Sequence, residues 1–352
     1  MSLVQLTVED LRCIQKADLH LHPRQNLIWG GNGSGKTSLL EAIFLLGRGR
    51  SFRTRSSERL VRHGQAKLTV FGSTHGTPPL KLGVEVTRGG GTLGKIQTTA
   101  VSSLAELSQA LPVQVIEPGV HKLVEEGGHR RRRWMDWAVF HVEPGFVDQW
   151  VRYTRALKQR NAALRQQPAQ ARAWDPELAR WGETIAHSRQ TMLESLRPFW
   201  RESVLRLAGL EVELHYARGW AQDLTLSQAL EQTHARDVAR GLSLTGPHRG
   251  DVLLRLGSRP AREVLSRGQQ KLVAIAMMLS QLHLLRSVMA QTPTLLLDDP
   301  AAELDADHLK AFIEEVESAN CQIILTSLAA EGGLFGTIDQ VFHVEQGRVR
   351  PV

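Results

Sequence analysis

Gly30-Gly31-Asn32-Gly33-Ser34-Gly35-Lys36-Thr37 is the stretch that decides the fold of this chain. It fits G-x-x-x-x-G-K-[ST], with the strand-like Leu27-Ile28-Trp29 before it and the helical pattern Leu39, Leu40, Ile43 and Leu46 after it. Glycines let a backbone wrap a phosphate because no side chain holds the N–H groups away. Gly30, Gly31, Asn32, Gly33, Ser34 and Gly35 would form that wrap. Lys36 would reach the β and γ phosphates of ATP, and the Thr37 hydroxyl would ligate Mg2+. The helix that starts here adds its positive end, and Gly47 is expected to stop it.

Working outward, the continuous apolar run Thr294-Leu295-Leu296-Leu297 reads as a buried parallel strand. Asp298 and Asp299 follow at its tip, where Asp298 can hold Mg2+ and Asp299 can orient or deprotonate an attacking water. Adjacent acids alone are common in turns, but beside a phosphate loop they gain meaning. A third part, Leu265-Ser266-Arg267-Gly268-Gln269-Gln270, stands 32 residues before Asp298 and opens an apolar helix from Gln269 to Leu285. It looks like the signature usually written L-S-G-G-Q, with Ser266, Gly268, Gln269 and the helix N-terminus making an anion-binding end.

The three parts in this order predict an α/β fold, an ABC-type ATPase head. Residues 1–120 and 241–352 are expected to form the head, and residues 121–240 a mainly helical lobe inserted into it. Within that lobe, 145–166 and 176–207 carry apolar residues at helical spacing, and Pro198 should end or kink the second helix. Seven of the eight Trp fall between Trp134 and Trp220, which reads as core packing, with base stacking as the alternative. Residues 67–96 read as an antiparallel hairpin region.

Gly30 to Thr37 followed by Leu39-Leu40-Glu41-Ala42-Ile43 resembles the RecF and SMC branch of ABC ATPases. Leu46 to Arg53, Arg131-Arg132 with Trp134-Met135-Asp136, Gly246-Pro247-His248-Arg249 and Glu303-Leu304-Asp305 narrow the resemblance to the RecF family over most of the chain. It implies a weak Mg2+-dependent ATPase that uses hydrolysis as a dimerisation timer. ATP would be sandwiched between two copies, with Ser266 meeting the γ-phosphate held by the other copy. The homodimer would clamp duplex DNA and single-strand/double-strand junctions at gaps. RecR would be its partner, with RecO and RecA acting alongside in repair and replication restart.

Some positions depart from that pattern. Ala302 stands where Ser is usual, Gly250 where Asp is common, and Thr326-Ser327 where transporter heads carry a switch His. Gln114 is the candidate for the Q-loop residue that senses Mg2+ and the γ-phosphate.

The net charge is +7, yet Asp298 to Gly347 holds eleven acidic residues against one basic residue, Lys310, so the positive excess lies elsewhere. Arg48, Arg50, Arg53, Arg55, Arg59 and Arg62 fall within fifteen residues, opposed only by Glu58. Arg48, Arg50, Arg53 and Arg55 are the candidate contacts to DNA phosphates, against a bland reading as a charged surface loop. Two isolated cysteines offer neither a disulfide framework nor a metal site, and a reducing cytoplasm fits them. No uninterrupted apolar run approaches the roughly 18 to 20 residues that span a bilayer, so no membrane partner is expected.

Three rivals are weighed, of which a nucleotide kinase does not explain Ser266 and Gln269. A transporter ATPase subunit does not need the 230 residues that separate Lys36 from Ser266. An SMC-type tether needs a far longer coiled coil than residues 121–240 could build.

Overall fold

The computed structural model describes residues 2–289, 292–300, 304–330, 336 and 338–352. The chain divides into two compact units, residues 1–120 with 286–352, and residues 121–285.

The first unit opens with β1 (Leu3–Leu11), β2 (Ile14–His20) and β3 (Gln25–Trp29), then α1 (Lys36–Arg48). It continues with β4 (Lys67–Thr74), β5 (Lys81–Thr87), β6 (Thr92–Ile96), β7 (Thr99–Ala100), α2 (Leu104–Ala110) and β8 (Val113–Ile116). An antiparallel sheet runs β2-β1-β4-β5-β6-β7, so the hairpin region expected at 67–96 is part of a larger sheet. Along β5 buried residues alternate with less buried ones, as a sheet with one covered face requires.

The second unit holds α3 (Lys122–Glu125), α4 (Gly128–Val142), α5 (Phe146–Gln166), α6 (Asp175–Ala208), β9 (Val212–Ala217) and α7 (Leu226–Arg240). It is completed by β10 (Asp251–Leu256), β11 (Arg259–Pro260), α8 (Ala261–Val264) and α9 (Arg267–Val288), whose last turn falls in the first unit. Residue 241, the expected point of return to the head, lies within the second unit, and the chain rejoins the first unit at Arg286. The physical reason is β-pairing: β10 runs antiparallel to β9 from Asp251↔Ala217 to Leu256↔Val212, which ties residues 241–285 to the helical unit.

The chain then adds β12 (Thr294–Leu297), α10 (Ala306–Ser318), β13 (Gln322–Ser327), β14 (Gln340–Glu345) and β15 (Arg348–Pro351) to the first unit. Its second sheet has the order β15-β14-β3-β13-β12-β8, parallel from β14 to β8. Helix α1 lies in the core between the two sheets. Leu39, Leu40, Ile43 and Leu46 share one cluster with Leu6, Val70 and Val84 of one sheet and Ile28, Leu296, Ile324 and Phe342 of the other. Burying side chains of this size contributes roughly 1.5–3 kcal/mol each.

Two helix ends differ from expectation. Helix α1 passes through Gly47 and ends at Gly49, whose φ of 61° supplies the left-handed cap and whose N–H donates to Leu45 O. Gly47 is a close-packing residue instead, since a Cβ there would stand 2.6 Å from Val113 Cγ2 and 2.7 Å from Leu111 O. Pro198 does not end α6, which runs 34 residues. The carbonyl it deprives of a partner is that of Glu194; both residues are exposed, so water can satisfy it.

Inside the second unit, Arg160 is fully buried against Asp175 and Asp237, each at 2.6 Å, and Arg189 pairs with Asp136 at 2.8 Å. In the Gly246-Pro247-His248-Arg249 motif, His248 Nε2 donates to Ser243 O at 3.0 Å, so Nδ1 accepts from the Tyr153 hydroxyl at 2.6 Å. Burial pushes this imidazole down to about 4 and keeps it neutral. Trp134, Trp137 and Trp200 are buried, and guanidiniums of Arg152 and Arg180 lie 5.1 and 4.8 Å from the Trp181 ring. The tryptophans are thus largely packed. Helix α9 is long and apolar enough to cross a membrane by composition, but two thirds of its most apolar stretch is buried inside the structure, as in a core helix.

Candidate nucleotide site

The phosphate loop links β3 to α1 at the C-terminal edge of the parallel sheet. It is anchored at both ends: Gly30 N–H donates to Ser327 O at 3.2 Å, and Gly347 N–H donates to Ser34 O at 2.8 Å. Gly30 has a φ of 154°, and a Cβ there would lie 2.2 Å from Val344 O, so the loop could not pass β14 with any other residue. Gly35 caps the helix with a φ of 119°.

Lys36 is buried, with Nζ donating to Gly30 O at 2.7 Å and Gly31 O at 2.9 Å. An ammonium has three N–H bonds, and the third makes no hydrogen bond among the described residues. Ser34 Oγ is likewise buried without a partner among the described residues. A desolvated cation, an orphan hydroxyl and the amides of a helix N-terminus form a cradle for anionic oxygens.

The acids arrive from the other end of the chain. Strand β12 lies between β8 and β13, and Asp298 N–H continues the ladder by donating to Ile116 O at 3.0 Å. Its carboxylate accepts from the Thr37 hydroxyl, at 2.9 Å to one oxygen and 3.2 Å to the other. Thr326, at the end of β13, was not singled out by its spacing in the sequence as a site residue. Its buried hydroxyl donates to Asp298 Oδ1 at 3.0 Å and accepts from Asp299 N–H at 3.0 Å, so one side chain fixes both acids.

Asp299 adopts a φ of 50°, a left-handed conformation that Asp tolerates better than most residues. Burial, with a smaller push from Asp298, raises its carboxyl above the ordinary range despite the opposing pull of Lys36. A carboxylate poised this way is a fitting general base. No three His, Cys, Asp or Glu side chains cluster as metal ligands among the described residues. A hydroxyl beside a single carboxylate is instead a donor set suited to Mg2+ completed by phosphates and water.

Gln114 is not brought to these groups. It sits buried inside β8 opposite Leu295, three residues short of Asp298 along the neighbouring strand. Ala302 and Glu303 lie outside the described residues.

In the second unit, Ser266 and Gln269 form a reciprocal cap on α9: Ser266 N–H donates to Gln269 Oε1 at 3.0 Å, and Gln269 N–H donates to Ser266 Oγ at 3.2 Å. The hydroxyl proton of exposed Ser266 remains available to an outside acceptor. Gly268 is also exposed, and a Cβ there would meet nothing nearer than Ser266 Oγ at 4.0 Å, so the helix end is open to close approach.

The basic segment follows α1. Arg48 is half-buried, its guanidinium 5.5 Å from the Phe44 ring, and burial followed by repulsion from Arg50 lowers its pKa. Arg50 is lowered too, by desolvation and then by Arg55. Arg50, Arg53 and Arg55 are exposed, and none has a carboxylate within ion-pair distance among the described residues. Arg62, by contrast, faces Asp10 at 3.8 Å.

The family described as RecF/RecN/SMC N terminal domain matches residues 2–349. A DNA replication and repair protein RecF of Shewanella sp. (strain MR-4) is 39% identical over 357 residues, covering 99% of each chain. That of Shewanella baltica (strain OS155 / ATCC BAA-1091) is 38% identical over 356 residues, again covering 99% of each. A solved structure of the recombination mediator protein RecF with ATP, in the RecFOR pathway, has a TM-score of 0.91 at 24% identity, covering 100% of this chain and 97% of that one. An Smc head bound to the C-winged helix domain of ScpA has a TM-score of 0.62 at 14% identity, covering 100% and 97%. The two structural likenesses bear on the fold and give the α/β, ABC-type head. The profile match and the full-length relatives go further: the chain belongs to the RecF family.

Proposed function

We propose that this chain is a Mg2+-dependent ATPase whose turnover times the opening of an ATP-bound homodimer on DNA. The observation that carries the reading is the meeting of Lys36, Thr37, Asp298 and Asp299 at one sheet edge, from opposite ends of the sequence. Lys36, Ser34 and the α1 amides bind the phosphates, and Thr37 with Asp298 would hold Mg2+, which neutralises charge on the phosphate oxygens. Asp299 orients the attacking water and accepts its proton. Ser266, Gly268 and the α9 N-terminus meet the γ-phosphate of the other copy. The site is then complete only in the dimer, and hydrolysis removes the shared phosphate and lets the copies part.

Arg50, Arg53 and Arg55, with Arg48 behind them, supply backbone contacts to duplex DNA and to junctions at gaps. Full-length relatives are DNA replication and repair proteins, and a solved relative belongs to the RecFOR pathway. RecR and RecO are accordingly the proposed partners, with loading of RecA in the cytoplasm as the outcome served. Particle mass in solution tests this directly. It should double on adding ATP and Mg2+, and duplex DNA should shift the dimer further than single-stranded DNA; a monomer under all these conditions would overturn the reading.

A further inference from the structure

Glu41 lies mid-way along α1 with no exposed surface, where an ionised carboxylate is costly unless its lone pairs are filled. They are filled from two separate segments. The Arg12 guanidinium, in the turn between β1 and β2, clasps both carboxylate oxygens, one contact measuring 2.9 Å, and the Ser51 hydroxyl donates to the same group. Ser51 Oγ in turn accepts the backbone N–H of Arg53 at 2.9 Å and of Thr54 at 3.0 Å. The basic segment is therefore fastened at its ends, by Gly49 N–H to Leu45 O, Arg12 N–H to Leu60 O and Arg62 N–H to Asp10 O, and between them by Ser51 to Glu41 and by the Phe52 ring against Phe44.

Three exposed guanidiniums held near one another repel, and a segment fastened only at its ends would let them spread. Thr37 and Glu41, four residues apart, stand on one side of α1 about 6 Å apart along its axis. We propose that Glu41 is a positioning residue for DNA contact: through Ser51 it fixes the turn that presents Arg50, Arg53 and Arg55 as one array, and fastens that array to the helix whose first turn grips the nucleotide. A hydrocarbon side chain would fill this place in the core without the cost of a buried charge, but it could not hold Ser51. The inference rests on the reading of the arginine segment as the DNA contact.

Two variants separate positioning from general stability. Ser51→Ala removes the arm to the segment together with the acceptor of the Arg53 and Thr54 amides and leaves Arg12 on Glu41, whereas Glu41→Gln keeps that acceptor and weakens both arms, so its effect on the two amides reports the role of Glu41 itself. In each, exchange of the Arg53 and Thr54 amides should accelerate, and duplex affinity should fall about 3- to 10-fold as a prearranged contact becomes a mobile one. ATP affinity should hold, and Ser51→Thr should restore both readouts. Unchanged exchange of the two amides in both variants would overturn the inference. So would unchanged DNA affinity in a protein that loses binding when Arg50, Arg53 and Arg55 are neutralised together. If that triple variant itself binds DNA normally, the DNA reading fails and the inference falls with it.

Discussion

Thr37 and Asp298, 261 residues apart in the chain, are joined by the Thr37 hydroxyl at 2.9 and 3.2 Å from the two carboxylate oxygens. Thr326 approaches the same carboxylate from β13 and also takes the Asp299 N–H, so the acids are set by a hydroxyl behind them as well as one in front. Thr326→Val removes that support while keeping the shape of the buried site. Turnover or half-saturation by Mg2+ should worsen roughly 10- to 100-fold, the usual effect of losing a ligand's supporting hydrogen bond. ATP binding measured in chelator should be unaltered and Thr326→Ser should recover most activity; a Val variant with wild-type Mg2+ dependence would remove Thr326 from the account.

Lys36→Ala takes away the cation that Gly30 O and Gly31 O hold over the loop. Equilibrium binding of ATP should be lost. Wild-type affinity in this variant would contradict the assignment of the cradle.

Asp299 carries a carboxyl raised chiefly by desolvation, so in the folded protein its charged form is disfavoured. For an acid raised in this way, ionisation costs stability as pH climbs through the folded value, and protonation returns it. Two results follow for Asp299→Asn. The nucleotide-free variant should melt above the wild type near neutral pH, and its ATP-bound dimer should outlast the wild-type dimer because no base remains. Wild-type turnover itself should decline on acidification at a pH above the ordinary carboxylate range. A variant dimer that parts at the wild-type rate would show that Asp299 does not time opening.

Ser266→Arg should leave ATP binding by the monomer nearly intact yet block dimerisation, since it fills the exposed helix end proposed to meet the other copy. Mixing it with Lys36→Ala gives dimers in which one composite site carries both defects and the other neither. Partial recovery of activity supports a site shared between copies. Demonstrated mixed dimers without recovery would argue that each copy works alone.

Neutralising Arg50, Arg53 and Arg55 should weaken duplex binding evenly across sequences. If all three meet phosphates, the log–log salt slope should shrink in magnitude by about 2.7. ATP-dependent dimerisation should persist. Failure of dimerisation with DNA affinity unchanged would assign the segment to the interface between copies.

The phosphate loop, the acid pair and the capped helix start were legible because each depends on residue types at short fixed spacing. Thr326 and Glu41 were not: Thr326 meets the acids only through strand register, and Glu41 meets Arg12 only once the β1–β2 turn comes against α1. Gln114 shows the same limit from the other side: a plausible residue type in a plausible window, held inside β8 by pairing with β12. The Arg286 boundary escaped because β9 and β10, across α7, pair only in space.

Strand β3 lies between β13 and β14, both made long after it, with Ile323 of β13 following Asn26 of β3 by 297 residues. A nascent chain emerging from the ribosome therefore makes its phosphate loop before the loop's flanking strands and its anchors Ser327 and Gly347, which come only with those later residues. The cradle is written first and assembled last, so a truncated translation product has no finished pocket to compete for nucleotide. The interval also leaves an apolar strand edge uncovered while the intervening residues are made, a window in which chaperones would be expected to attend this chain.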